Sequence, residues 1–323
     1  MVSFLLRRLL QAALIMLVMS AIVFVGVFAI GNPVDILISP QATPIERENA
    51  IRALGLDLPI WQQYLSFLGN LLHGDVGRSF VFNVSALKLI LERMPATLEL
   101  ALASTILALV AGIPLGLYAG LAPKSRVSTS IMAGSILGFS LPSFWVGIVM
   151  IMLFSVHFGW LPSGGRGETA YWLGVRWSFL TTDGLAHMAM PVLNLALFQI
   201  SMVIRLTRAG VREAILSDYV KFARAKGLTE SRIIFVHVLK NIMIPVITVV
   251  GLNLGTVIAF AVVTETIFSW PGMGKLIIDS INVLDRPVIV AYLMLMVLMF
   301  VVINLLVDLA YMVLDPRVRL ESR

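Results

Sequence analysis

Four histidines, one Gly-Lys pair and a few polar residues inside apolar runs are where chemistry would first be sought in this chain. His73, His157, His187 and His237 lie far apart, without the short spacings of a metal site. There is no cysteine, which excludes thiolate ligands, thiol nucleophiles and disulfides. Gly274-Lys275 matches the end of a phosphate-cradling loop. However, Leu276 replaces the Ser or Thr that binds magnesium, and Ser269 stands where the first glycine belongs. There is no G-x-G-x-x-G either. Energy for any work must therefore come from a separate subunit or an ion gradient.

The second set is Glu99, Asn194, Gln199, Arg205, Asn253, Glu265, Asn304 and Asp308, each within or at the edge of an apolar run. Ionisable groups inside a bilayer are costly and point to function or to pairing. Glu99 and Glu265 are expected near the outer surface, and Arg205 and Asp308 near the inner one, solvated or paired. Asn194, Gln199 and Asn253 either line a pathway or bond between helices. The sixteen methionines are expected to be mostly apolar filler.

The elements that carry these residues are set by the solvent. Of the 323 residues 59% are hydrophobic and 13% charged, about half the charge of a soluble domain. Runs of about 20 apolar residues match the bilayer core as helices. Six spans are expected, near residues 9–30, 97–121, 127–158, 185–206, 243–268 and 288–314. The first run follows Arg7-Arg8 and is too long for a signal-peptide core. With the N-terminus inside, 15 of the 24 Lys and Arg fall on cytoplasmic segments. That bias sets both termini in the cytoplasm and accounts for the net charge of +6 without a nucleic-acid partner. Gly112, Gly116 and Gly120, with Gly134/Gly138 and Gly251/Gly255, have the spacing that lets helices approach closely. They pack within the bundle or form a dimer seam.

Between the first two spans, residues 31–94 form a polar stretch with three helical pieces. Thr43-Pro44-Ile45-Glu46 is a capping box with proline at the first helical position, and Gly55 is expected to end that helix. Pro59 opens a second piece, with Trp61, Tyr64, Leu65, Leu68, Leu71 and Leu72 on one face, closed by Gly74. A third runs from Ser85 to Met94. Such helices lie on the membrane or pack against the bundle. The expected fold is an all-α integral membrane protein. It divides into a first span plus extracytoplasmic helical insertion (1–94), a five-helix core (95–314) and a short cytoplasmic tail (315–323).

The largest cytoplasmic loop, residues 207–242, reads as helix, glycine turn, helix. Ser217 or Asp218 caps the first helix, Gly227 supplies a left-handed stop, and Thr229 caps the second before Pro245. Amphipathic and basic, it suits either anionic lipid or a cytoplasmic partner.

The residues of this loop carry a resemblance. Asp218-Tyr219-Val220, Ala223-Arg224-Ala225-Lys226-Gly227-Leu228, His237-Val238-Leu239-Lys240-Asn241 and Ile244-Pro245 resemble the coupling loop of ABC-transporter permeases. The chain is similar to the dipeptide/oligopeptide/nickel branch of binding-protein-dependent importers, and to its first permease subunit. Gly74-Asp75-Val76-Gly77-Arg78-Ser79, Pro95-Ala96-Thr97-Leu98-Glu99-Leu100, the stretch from Glu265 to Gly274, and Leu314-Asp315-Pro316-Arg317 resemble further signatures of that branch. Phe222 departs from it, being larger than the residue expected there.

The resemblance implies a bacterial inner-membrane subunit, without its own ATPase site or cofactor, that forms a pathway with a second permease. Two cytoplasmic ATPases would bind ATP and Mg, and an extracytoplasmic binding protein would deliver peptides. Nickel, glutathione or oligosaccharides are alternative cargoes, and from other classes an ion-coupled carrier or an assembly protein. Asp218, Tyr219, Lys221, Phe222, Ala223, Arg224, Lys226, Gly227, His237 and Asn241 would couple to an ATPase. Tyr219, Phe222 and Ala223 would give apolar contact, and Lys221, Arg224 and Lys226 would meet acidic groups. Asn194, Gln199, Asn253, Glu265, Trp270, Pro271 and Gly272 would form the pathway or its outer gate.

Overall fold

The computed structural model describes residues 2–29, 43–53 and 57–314. The helix stop expected at Gly55 and the ending from Asp315 onward lie outside the described residues. The helices are α1 (Val2–Ala29), α2 (Pro44–Ala53), α3 (Ile60–Leu72), α4 (Ala86–Leu121), α5 (Arg126–Ser140), α6 (Ser143–His157), α7 (Thr182–Leu216), α8 (Asp218–Ala225), α9 (Glu230–Ile267), α10 (Met273–Asn282) and α11 (Arg286–Leu314). Five of them (α1, α4, α7, α9 and α11) are long and apolar enough to cross a membrane, and the pair α5–α6 would add a sixth if it counts as one span.

Three departures from the sequence reading concern breaks. Residues 127–158 are not one straight helix: α5 and α6 meet at a bend of 104°. Leu141, which caps α5, takes an extended conformation, as a residue before proline prefers. By contrast Pro95 does not separate the third amphipathic piece from the second span, because α4 runs through both. Pro245 likewise lies inside α9, which joins the second half of the large loop to the fifth span. The protein is also not all-α. Ala170–Trp172 and Val175–Trp177 pair as an antiparallel hairpin, β1–β2. Leu173 and Gly174 at its tip both have positive φ, as a two-residue turn that matches strand twist requires.

Packing divides the chain into two units. The first comprises Met1–Pro95 and Gly272–Val302. Here α3 packs on α1: Ser20 Oγ lies 2.9 Å from Tyr64 OH, and the Phe24 ring meets Tyr64 edge-on at 5.3 Å. Phe67 and Leu71 pack on a core of Val23, Val290 and Met294. Trp61, Leu65 and Leu72 remain exposed, so the apolar face expected for α3 is buried only in part. The capping box of α2 forms as expected, with Thr43 N donating to Glu46 Oε2 at 2.8 Å and Glu46 N to Thr43 Oγ1 at 3.4 Å. The Gly74–Ser79 loop turns through positive φ at Gly74 and Gly77. It is anchored by the buried Asp285, whose carboxylate accepts from Ser79 Oγ and from Phe80 N at 3.1 Å.

The second unit comprises Ala96–Pro271 and Ile303–Arg323. Its centre is the packing of α7 against α4, α5 and α9. Ala108, Val203, Val246 and Val250 form one buried cluster of α4, α7 and α9. Cβ atoms built at Gly112, Gly116 and Gly120 would each come within 2.7 Å of Val203, Thr207 and Val211 in turn. The glycine stripe of α4 is therefore a seam with α7 of the same chain. Gly251 takes the same role against Val307.

Candidate functional site

Five of the polar residues singled out in the spans, Glu99, Glu265, Asn194, Gln199 and Asn253, separate into two groups. At one end of the second unit Glu99 is buried, and its carboxylate takes the Arg166 guanidinium at 2.9 Å together with the backbone N–H groups of Ser178 and Phe179. Glu265 is also fully buried and accepts from Thr97 Oγ1 at 2.6 Å. Both carboxylates are thus held by hydrogen bonds, which is how a buried charge is tolerated. Neither is placed as a free proton carrier.

Trp270 belongs to this group. Its ring is fully buried with Ala96, Leu100 and Met188, its Nε1 donates to Ala96 O at 2.9 Å, and Arg166 lies 5.9 Å over the ring. The side chain is neither a membrane anchor nor an exposed docking group. Its backbone closes α9: Trp270 N donates to Glu265 O at 2.8 Å and Ser269 N to Thr266 O at 3.3 Å. That is a Schellman ending, with Ser269 at φ 47° in the position that favours glycine. Pro271 and Gly272 lead from this cap into α10, of which Gly272 is the N-cap. Gly274 and Lys275 lie in the first turn of α10, and Lys275 Nζ reaches Asp279 at 3.1 Å.

The second group lines a cavity of 260 Å³ between α5, α6, α7 and α9. Asn194, Gln199 and Asn253 all border it, with Thr256, Phe260 and Thr264 completing one face of α9. Its walls are mainly apolar. Gln199 is satisfied between helices, donating to Ser104 Oγ and accepting from Thr105 Oγ1, both at 3.1 Å. Asn194 donates through Nδ2 to Thr264 Oγ1 at 3.0 Å, joining α7 to α9. Gly147 of α6 lets this helix approach the end of α9, since a Cβ there would stand 3.3 Å from Ile267 Cγ2 and from Phe268 Cε2. Thr264 and Arg166 are the residues missed by the sequence reading. A hydroxyl eleven residues after Asn253, on the same helical face, was the available signal for Thr264.

The large loop has the expected form. Gly227 sits at φ +74° between α8 and α9, with no atom within 4 Å of the Cβ position. Val220 and Ala223 of α8 turn inward onto Val211, Ile233 and Val238. Ala223 therefore supports the loop from within, while Tyr219 and Phe222 are exposed. Arg224 is paired with Glu230 at 2.7 Å, Lys221 with Asp218 at 2.9 Å, and Lys226 lies 4.6 Å over the Phe222 ring. The stretch Ile233–Val238, with the half-buried His237, is wound as a π-helix before α9 continues through the exposed Asn241. No sequence signal announced that winding. Among the described residues no cluster of metal-ligating side chains occurs.

Comparison with known proteins agrees along the whole chain. A family model for the binding-protein-dependent transport system inner membrane component matches residues 112–320, and one for the N-terminal part of the membrane component of such systems matches residues 1–101. The chain is similar to the di/tripeptide transport system permease protein DppB of Pseudomonas aeruginosa (strain UCBPP-PA14), 39% identical over 302 residues and 90% of each chain. It is 38% identical to the dipeptide transport system permease protein DppB of Escherichia coli (strain K12), over 99% of each. It is also 38% identical to the oligopeptide transport system permease protein AppB of Bacillus subtilis (strain 168), over 98% of this chain and 99% of that one. In fold it resembles a chain of the inward-facing MetNI methionine ABC transporter, with TM-score 0.54 and 16% identity over 70% of this chain and 96% of that one. The chain therefore belongs to the family of binding-protein-dependent transport system inner membrane components.

Proposed function

We propose that this chain is one membrane-spanning subunit of an ATP-driven importer of di- and oligopeptides. The observation that carries this reading is the near full-length identity of 38–39% to permeases named for dipeptide, di/tripeptide and oligopeptide transport. A second permease subunit completes the pathway, two cytoplasmic ATPases bind ATP and Mg, and an extracytoplasmic binding protein delivers cargo. The chain crosses the bacterial inner membrane six times, with the bent pair α5–α6 as the third crossing and both termini in the cytoplasm. Residues 1–94 are then the first span and the outer segment, 95–314 the transport core and 315–323 a cytoplasmic tail.

In this arrangement the Glu99–Arg166 and Trp270 cluster braces the outer end, with Glu265, Pro271 and Gly272 at an outer gate. The cavity bordered by Asn194, Gln199 and Asn253 is part of the path. The loop from Asp218 to Asn241 seats in an ATPase groove. Its inward core of Val220 and Ala223, and the uninterrupted course of α9 from Glu230, support rigid transfer of motion into the fifth span. Tyr219 and Phe222 offer apolar contact, and Gly227 leaves the tip bare.

The test is ATP-driven uptake of a labelled dipeptide by proteoliposomes holding this chain, its second permease and the two ATPases, with binding protein added outside. Uptake that needs ATP and binding protein is expected. Uptake driven by a proton or sodium gradient without ATPase subunits would contradict the proposal.

A further inference from the structure

A groove of 670 Å³ lies within the first unit, between α1, α3 and α11. Met16 and Leu17 form its α1 wall, Leu68 and Leu72 its α3 wall, and Met294 and Leu298 its α11 wall. All the residues that border it are Ala, Val, Leu, Met or Gly. Leu72 is 80% and Leu17 48% exposed, so the groove is open at its side and not sealed. Met16 and Leu17 stand midway along the apolar stretch Leu6–Gly26 of α1, and Met294 and Leu298 close to the middle of Arg286–Leu309 of α11. In an inner-membrane component these stretches cross the bilayer, which puts the groove at the depth of the hydrocarbon core.

Water does not suit such walls, because a bound water needs about two to four polar partners and no bordering side chain offers one. An empty space there would forfeit dispersion contacts along all three helices. What lies beside the groove is lipid. Only 11% of the apolar stretch of α1 is buried. Leu10, Leu14, Ile15, Val18 and Val25 remain exposed round most of its circumference, a wider face than one neighbouring helix covers. A helix apolar on all sides is solvated by hydrocarbon. A foreign helix, about 10–12 Å across with its side chains, would fit little more than one turn into this volume. An acyl chain is thin, flexible and wholly apolar, and threads along it.

We propose that the groove is a lipid site, in which an acyl chain of a membrane phospholipid packs α3 onto α1 and α11. The bound chain extends the core of Val23, Val290 and Met294, on which Phe67 and Leu71 already rest. Met16 and Met294 give it walls that adapt to an unbranched chain. The lipid is thus part of what seats α3 on the spans. The inference needs only that the chain is an inner-membrane component, whatever cargo it carries.

The experiment uses the complete transporter in nanodiscs whose phospholipid carries a photoreactive group on one acyl chain. After transfer to detergent and activation, Met16, Leu68 and Met294 should keep their label, while Leu10 and Leu14, outside the groove, should lose it. Ala13 is exposed and borders the groove, so Ala13→Phe puts a ring into it without disturbing the core. Each CH₂ displaced lowers affinity about fourfold, and the label at Leu68 and Met294 should fall about tenfold or more. Leu14→Phe should leave it unchanged. Loss of label from the groove as complete as from Leu10 would overturn the inference, and so would an undiminished label in Ala13→Phe. A cysteine at Leu68, in a chain that has no other, tests the rival occupant. Crosslinking of that cysteine to the second permease in place of lipid would also overturn the inference.

Discussion

Gly116 and Thr207 meet so closely that a Cβ on the glycine would stand 2.7 Å from the threonine Cβ and 2.8 Å from the Ile204 carbonyl oxygen. The contact joins α4 to α7, the helix that carries Asn194. Gly116→Ala is expected to cost about 1–3 kcal/mol through overpacking. Gly134→Ala, where nothing lies within 4 Å, should leave stability unchanged or raise it slightly, since alanine is the better helix former. Thermal unfolding of the purified variants in detergent measures the difference. Equal midpoints for the two would contradict the seam.

The Glu99–Arg166 pair sets a second expectation. The side chains are 1% and 15% exposed, so Arg166→Met leaves a buried carboxylate without its cation. Breaking such a pair from one side costs about 3–5 kcal/mol. The double variant Glu99→Gln with Arg166→Met should be less damaged than Arg166→Met alone, because no uncompensated charge remains. Stability in detergent distinguishes this from simple addition of the two single losses.

Glu46 gives a pH dependence. Hydrogen bonds from the backbone and hydroxyl of Thr43 hold its carboxyl below the usual value of 4.5. A depressed folded value means the stabilisation is present above the unfolded value and is lost as pH falls through the folded one. Amide protection factors at the start of α2, corrected for the intrinsic exchange rate at each pH, should therefore fall below about pH 4.5 relative to neutral pH. Glu46→Gln should abolish that change, and Thr43→Ala should only reduce it, because the larger contribution comes from the Thr43 backbone N–H. A pH response that survives Glu46→Gln would show that another group is responsible.

Much of this architecture was legible because it rests on local signals. The Thr43–Glu46 box, the glycine stop at Gly227 and the Gly112-Gly116-Gly120 stripe each need only a few neighbouring residues to form. What misled were prolines, whose effect depends on what surrounds them. Pro142 follows a residue driven into extended backbone and coincides with a sharp break. Pro95 sits in a helix that continues through it, whereas Pro245 lies inside a helix, as the expected fifth span over 243–268 has it. The hairpin at Ala170–Trp177 was overlooked because its strands are three residues each, although Leu173-Gly174 marked the turn. In the cavity, Asn194 and Asn253 stood out as polar residues in apolar runs. The bond from Asn194 Nδ2 to Thr264 Oγ1 spans 70 residues, and no local pattern carries that.

In the proposed function this chain turns ATP hydrolysis by partner subunits into peptide movement through the loop tipped by Gly227. Aspartate is among the residues that tolerate positive φ, and no atom of the chain lies within 4 Å of the new Cβ. Gly227→Asp should therefore fold, insert and meet its permease partner. The measurement is ATP-driven dipeptide uptake, with ATPase co-purification, in matched membranes of wild type and Gly227→Asp. Loss of uptake and weakened ATPase recovery are expected at equal amounts of inserted protein. Normal uptake together with normal ATPase recovery would contradict this role.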